Sequence, residues 1–222
     1  DFLAGGKPTG KTHPLSAVKL LAPVIPGKVL AIGLNYTDHA GSSSSAPPPA
    51  FFKQPGCIVG PDAPILRPKG ATNLHFEGEI VLVIGKEAAD VPESKALDYL
   101  FGVTAGNDVS ERTWQSSDLQ WFRAKGADTF GPIGPSVVSG AAVQSLTITT
   151  AVNGKVVQDS SAKLMIHSIK KIISFVSSVM KLHPGDVIFT GTPGKTFALN
   201  NGDKVTVTVE HVGALSNVVM AK

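Results

Sequence analysis

The 222-residue chain has a single cysteine, Cys57, which excludes an internal disulfide and a cysteine-based zinc site. It has two tyrosines, two tryptophans and only three arginines, and its charged fraction of 17% lies below the ~25% of an average globular chain. So little charge excludes a coiled coil, and a hydrophobic fraction of 42% excludes a disordered chain. No apolar run approaches the ~20 residues of a membrane helix, so no membrane association is expected. The segment Asp1-Phe2-Leu3-Ala4-Gly5 lacks the basic start and long apolar run of a signal peptide, and an intracellular, cytoplasmic protein is expected. The net charge of +3 comes from scattered basic residues without a stripe, so nucleic acid is not an expected partner.

Glycine and proline, by contrast, are plentiful, at 23 and 16 residues. They imply many turns and favour β structure over long helices. Residues 1–27 carry Pro8, Pro14, Pro23 and Pro26 and are expected to be a short irregular segment ahead of one domain, 28–222. Lys28–Gly33, Phe76–Gly85, Tyr99–Ala105, Val187–Thr190 and Lys204–Glu210 read as strands. Leu146–Val152 and Lys155–Val157 flank Asn153-Gly154, the signature of a two-residue hairpin turn. Ser168–Leu182 has apolar residues at helical period, with Ser168 as cap. The resulting fold class is α+β and β-rich. Gly41–Pro49, rich in serine and proline, reads as a mobile loop able to close over a site.

Two segments imitate nucleotide loops. Gly5–Thr12 matches G-x-x-x-x-G-K-[ST] letter for letter, but four residues are too few for the strand that must precede it, and His13-Pro14 follows where a helix is needed. Gly191–Thr196 has only the motif's ending.

Scarce residue types gather in the middle of the chain. Glu77 and Glu79 stand two apart, so a strand places both carboxylates on one face, together with His75. Adjacent carboxylates at the mouth of a buried strand either lie in solvent or share a cation, and an all-oxygen set favours Mg²⁺, Mn²⁺ or Ca²⁺ over zinc. Asp108, just past a strand, is a third candidate ligand or else a turn former or helix cap. Lys125, inside the segment 123–130, either holds a substrate oxygen or is simply solvated. His39 is the candidate general base, or a structural histidine.

The order of "GLNYTDHA", "HFEGEIVLVIGK", "DYLFGVTAGNDVSERTWQ", "WFRAKGADTFGPIGP", "VNGKVVQD" and "PGDVIFTGTP" closely resembles the fumarylacetoacetate hydrolase superfamily, from about Lys28 to the end of the chain. The resemblance implies a mixed β-sandwich roll, usually a homodimer. It also implies Mg²⁺ or Mn²⁺ held by Glu77, Glu79 and Asp108, with Lys125 completing the metal neighbourhood and binding substrate oxygens. Arg112, Gln115, Gly191 and Thr192 would face the substrate. Hydrolytic members pair the histidine of the first motif with a nearby glutamate; here His39 is followed by Ala40, Gly41 and the Ser/Pro tract. The expected activity is therefore decarboxylation or tautomerisation of a small 2-oxo or 1,3-dicarbonyl acid through a stabilised enolate. The rivals are a C–C bond hydrolase of acylpyruvate type and a binding protein that retains the metal cup.

Overall fold

The computed structural model describes residue 3, residues 5–40 and residues 46–222, with only the backbone of His39 and Ala40. Fourteen strands hold about a third of the described residues. They are β1 (Val29–Ile32), β2 (Ala50–Lys53), β3 (Ile58–Val59), β4 (Ile65–Arg67), β5 (Leu74–His75), β6 (Gly78–Ile84) and β7 (Leu100–Asn107). Then come β8 (Ser110–Glu111), β9 (Gly131–Val138), β10 (Thr147–Val152), β11 (Lys155–Ser161), β12 (Val187–Phe189), β13 (Lys204–Val209) and β14 (Gly213–Ala221). Four helices, α1 (Thr37–Ala40), α2 (Arg112–Ser117), α3 (Phe122–Gly126) and α4 (Ile169–Val179), lie between them. None is long and apolar enough to cross a membrane.

A seven-stranded mixed sheet in the order β2-β1-β12-β6-β7-β9-β3 packs on a five-stranded sheet in the order β11-β10-β13-β14-β4. The core between them takes Ile80, Leu82 and Ile84 from β6, Val205, Val207 and Val209 from β13, and Ile169, Ile172, Ile173 and Val176 from α4. β13 shows why a Lys-Val-Thr-Val-Thr-Val run makes a strand: its valines are buried, and its lysine and Thr208 face solvent. The opposite face of the large sheet carries a second cluster, Val29, Ala31, Val81, Val83, Val187 and Phe189, against which Val24, Ala22 and Leu3 of the first segment pack. β6 is thus buried on both faces, as its sequence implies.

Asn153 and Gly154 both have positive φ, 52° and 81°, and close the β10–β11 hairpin. The Ser168 hydroxyl caps α4, accepting from the Lys171 amide at 3.2 Å. The helix ends at Val179, short of the Leu182 limit implied by its periodicity, because Met180 turns extended and Leu182 exchanges backbone hydrogen bonds with Ala88. Residues 5–12 are irregular and only the single 3-10 turn Leu15–Ala17 follows them, not the long helix a P-loop needs, so the P-loop lettering is coincidental.

Candidate active site

The site forms where β6 begins and β7 ends. The two strands are antiparallel neighbours, with Gly78 opposite Asn107 and Glu79 opposite Gly106. Glu77 sits one residue before β6 and Asp108 one residue after β7, and the Asp108 amide donates to the Glu77 carbonyl at 2.8 Å. The Asn107 side chain accepts from the Glu77 amide at 2.9 Å. This crossing gathers Glu77, Glu79 and Asp108, all buried, with one oxygen of each within 4.8 Å of the others. Glycine at 106 permits it, since a Cβ there would fall 2.4 Å from Val81 Cγ2 and 2.8 Å from Phe189 Cε1.

Three cations face the carboxylates. Lys125, on α3, donates to Glu77 Oε2 at 2.8 Å and to Asp108 Oδ2 at 2.9 Å. Lys53, at the end of β2, donates to Asp108 Oδ1 at 2.6 Å and to the Lys125 carbonyl. Arg112 opens α2 and donates to Glu77 Oε1 at 2.5 Å. Glu79 receives only a peptide N–H at hydrogen-bond distance, from Gly191 at 2.6 Å, and among the described residues no cation lies within ion-pair distance of it.

The charges are therefore unequally served. Burial works against ionisation of Glu77, yet Lys125 and Arg112 overcome it and hold the carboxyl at about 2. Burial and the charges of Asp108 and Glu77 push Glu79 well above the carboxylate range. Burial pulls Lys125 down, but Asp108 and Glu77 outweigh it and raise the ammonium. Lys125 is thus a buried ion-paired residue, which removes the solvated reading of the sequence. Asp108 is a site carboxylate rather than a helix cap. The cap of α2 is Glu111, whose carboxylate accepts from the Trp114, Thr72 and Asn73 amides.

Arg112 is oriented by Gln115 Oε1 at 2.7 Å and by the Thr196 hydroxyl at 3.0 Å. His75 sits between Thr196 and Asn73, and burial with the Arg112 charge lowers it to about 4, so it is neutral near pH 7. Gly191 and Thr192 lie against the cup, though the Thr192 hydroxyl is occupied: it donates to the Gly78 carbonyl at 2.9 Å and accepts from Gln158 Nε2 at 3.0 Å. The side chain of His39 and residues 41–45 of the serine–proline tract lie outside the described residues.

Two contributors escape a reading of the sequence. Lys53 is 2% exposed. Its only linear signal is a charge closing an apolar run, Ala50-Phe51-Phe52-Lys53, with the alternation that places it on Phe51's face. Gln158 comes from the other sheet, and nothing local links it to the loop it holds.

Residues 28–220 match the family model described as fumarylacetoacetate (FAA) hydrolase C-terminal, and the chain belongs to that family. Its fold is the family's, and it is an enzyme of that family. A model described as Rv2993c-like, N-terminal matches residues 1–23. Among curated relatives, Protein Rv2993c of Mycobacterium tuberculosis is 46% identical over 96% of this chain and 83% of its own length. Oxaloacetate tautomerase fahd2, mitochondrial, of Xenopus laevis is 36% identical over 92% of this chain and 69% of its own. A solved structure described as 2-hydroxyhepta-2,4-diene-1,7-dioate isomerase from Mycobacterium marinum superposes with a TM-score of 0.91 at 45% identity, covering 96% of this chain and 82% of that one.

Proposed function

We propose that this enzyme is a divalent-cation-dependent keto–enol isomerase of small 2-oxo dicarboxylic acids. The observation that carries the reading is Glu79, a buried acid grouped with two further carboxylates and lacking a cation of its own. An all-oxygen donor set whose charge is incompletely matched fits a hard divalent ion, Mg²⁺ or Mn²⁺, and Glu77, Glu79 and Asp108 would hold it. Such an ion would supply positive charge where the enolate of a 2-oxo acid develops negative charge.

The chain's own groups divide the remaining work. Lys125 and Lys53 are buried cations at the rim of the cup, suited to binding substrate oxygens and keeping them charged. Arg112, already oriented by Gln115 and Thr196, can receive the distal carboxylate of a diacid. His39, carried by α1 beside the site, is assigned proton transfer to and from carbon. Keto–enol exchange needs no water nucleophile, which agrees with a His39 followed by Ala40, Gly41 and serines rather than a glutamate. The tautomerase and isomerase names of relatives across nearly the whole chain support the same class. We assign a homodimer, as the family resemblance implies.

The deciding experiment follows loss of oxaloacetate enol absorbance with Mg²⁺, with Mn²⁺ and with EDTA, beside an acylpyruvate and a decarboxylation assay. Cation-dependent ketonisation should be the fastest of the three. Faster acylpyruvate cleavage would replace this reading with hydrolysis.

A further inference from the structure

Tyr36 lies between β1 and α1, is 0% exposed, and its hydroxyl has no hydrogen-bond partner among the described residues. A buried hydroxyl without a partner is costly, and a folded protein keeps one where something else completes it. Tyr36 belongs to neither of the two apolar clusters. Its position is fixed from both sides. The neighbouring Asn35 amide donates to the Thr190 carbonyl at 2.7 Å and to the His167 carbonyl at 3.1 Å, and its oxygen accepts from the His167 amide at 2.7 Å. Tyr36 itself bridges to Met165 through the backbone. Gly191, whose N–H holds Glu79, lies directly on Asn35: a Cβ there would meet Asn35 Cβ at 2.7 Å. The peptide that carries the phenol is thus pressed against the loop whose Gly191 N–H holds Glu79.

Resting on the proposed isomerase reading, we infer that Tyr36 is a further catalytic residue, whose O–H donates a hydrogen bond to the substrate oxygen that gains negative charge beside Glu79. Burial, with the charges of Glu79 and Asp38 behind it, pushes ionisation of the phenol up, so the group remains a donor across the working range. A neutral donor fixed in a dry site stabilises an oxyanion without reorganising. No proton is transferred by Tyr36; His39 keeps that task.

The chain's two tyrosines, Tyr36 and Tyr99, make the test direct. In protein labelled with [¹³Cζ]tyrosine there are two resonances, and Tyr99→Phe assigns them. Mg²⁺ is added first, then oxalate, a planar dianion with the shape of the enolate of a 2-oxo acid. The Tyr36 resonance should shift on oxalate addition while that of Tyr99 stays. Tyr36→Phe should weaken oxalate about tenfold or more and leave Mg²⁺ affinity within about twofold, the loss expected for one hydrogen bond to a charged group. Oxalate binding with an unmoved Tyr36 resonance, or with equal affinity in the Phe variant, overturns the assignment while the cation site stands. Failure of Mg²⁺ to bind overturns both. Should the Phe variant not fold, the labelled wild-type chain decides alone.

Discussion

The two sheets share one core and treat charge in opposite ways. The five-stranded sheet buries Ile148, Val152, Val205, Val207, Val209, Leu215 and Val219, and its buried polar side chains, such as Thr150, Gln158 and Asn217, are all uncharged. The seven-stranded sheet and the segments that connect its strands, the short β5–β8 pair and α3 among them, bury Lys53, Glu77, Glu79, Asp108, Glu111, Lys125 and Asp186. Burying an ion costs several kcal/mol even after relaxation, so seven in one layer are unlike a layer chosen for stability alone. Among the described residues each is matched by an opposite charge or, for Glu111, by three amides, except Glu79, which has a single peptide N–H at hydrogen-bond distance. One sheet is a platform, and the other spends stability on a site.

The largest effect should come from removing that residual cost. Glu79→Gln is expected to abolish binding of Mn²⁺ in a titration and to lower cation-dependent turnover by ~10³-fold, on the scale of losing a principal electrostatic group. It should also stabilise the cation-free protein near pH 7. The sign follows from linkage. A carboxyl raised on folding carries no penalty below its ordinary value of 4.5 and a growing one above it, until its raised value is passed. The stability difference between Glu79→Gln and wild type, from denaturant melts, should vanish below about pH 4 and widen toward neutrality. Glu77 has the opposite slope: held at about 2, it stabilises above 4.5 and loses that contribution as pH falls through about 2. A wild type more stable than Glu79→Gln at pH 7 without cation would break the contrast between the sheets.

Next come the lysines. Lys125→Met should reduce turnover by ~10²–10³-fold, as loss of one donor to a developing oxyanion does. It also leaves two buried carboxylates each with one cation fewer, so the cation-free protein should lose about 3–5 kcal/mol, with Mn²⁺ restoring part of it. Lys53→Met should behave alike through Asp108 alone and more mildly. An unchanged rate in either variant, with stability lost, would return that lysine to a structural role.

Much of this was readable in the sequence, for physical reasons that also mark its limits. A continuous apolar run spells out β6 and period-two alternation spells out β13, the Asn153-Gly154 turn requires its hairpin, and Ser168 announces α4. Glu77 and Glu79 are legible as a pair because strand spacing alone puts them on one face. Lys53 is not, since its partner Asp108 is 55 residues away and only the sheet order, with β2 at its edge, brings α3 over β2. Arg112 was placed toward substrate by resemblance, but its bond to Glu77 needs the turn between β7 and α2. The helix boundary at Val179 depends on Leu182 pairing with Ala88, a contact between segments that propensity cannot see.

A smaller effect would sharpen the comparison from the neutral side. Gln158 reaches from β11 to the loop after β12, donating to Thr192 Oγ1 at 3.0 Å and to the Pro193 carbonyl at 2.5 Å. Gln158→Leu removes both bonds, together with the one its Oε1 accepts from the Gly78 amide at 3.4 Å, and should cost ~1–3 kcal/mol in stability and about tenfold in kcat/KM, with Mn²⁺ affinity little changed. A loss of cation affinity as large as that of Glu79→Gln would mean that the five-stranded sheet builds the cup itself.

The smallest effect expected is in the platform's own core. Ile148 is 1% exposed on β10, pairs with Ser160 on one side and Val209 on the other, and packs in the cluster between the sheets. Ile148→Val deletes one methyl group and leaves a void that neighbouring valines, stiff at χ1, fill only in part. The cost should be about 0.5–1.5 kcal/mol, and each ~1 kcal/mol lowers Tm by roughly 2–4 °C in a chain of this size. Because the carboxylates stand at the start of β6 and on the loop past β7, and no charge is buried on β10, the same variant should keep Mn²⁺ affinity and kcat within about twofold. A calorimetric melt beside a cation titration reads both quantities. If the methyl deletion moved cation affinity more than Tm, the core behind β6 would be setting the spacing of Glu77 and Glu79, and platform and site could no longer be treated as separate.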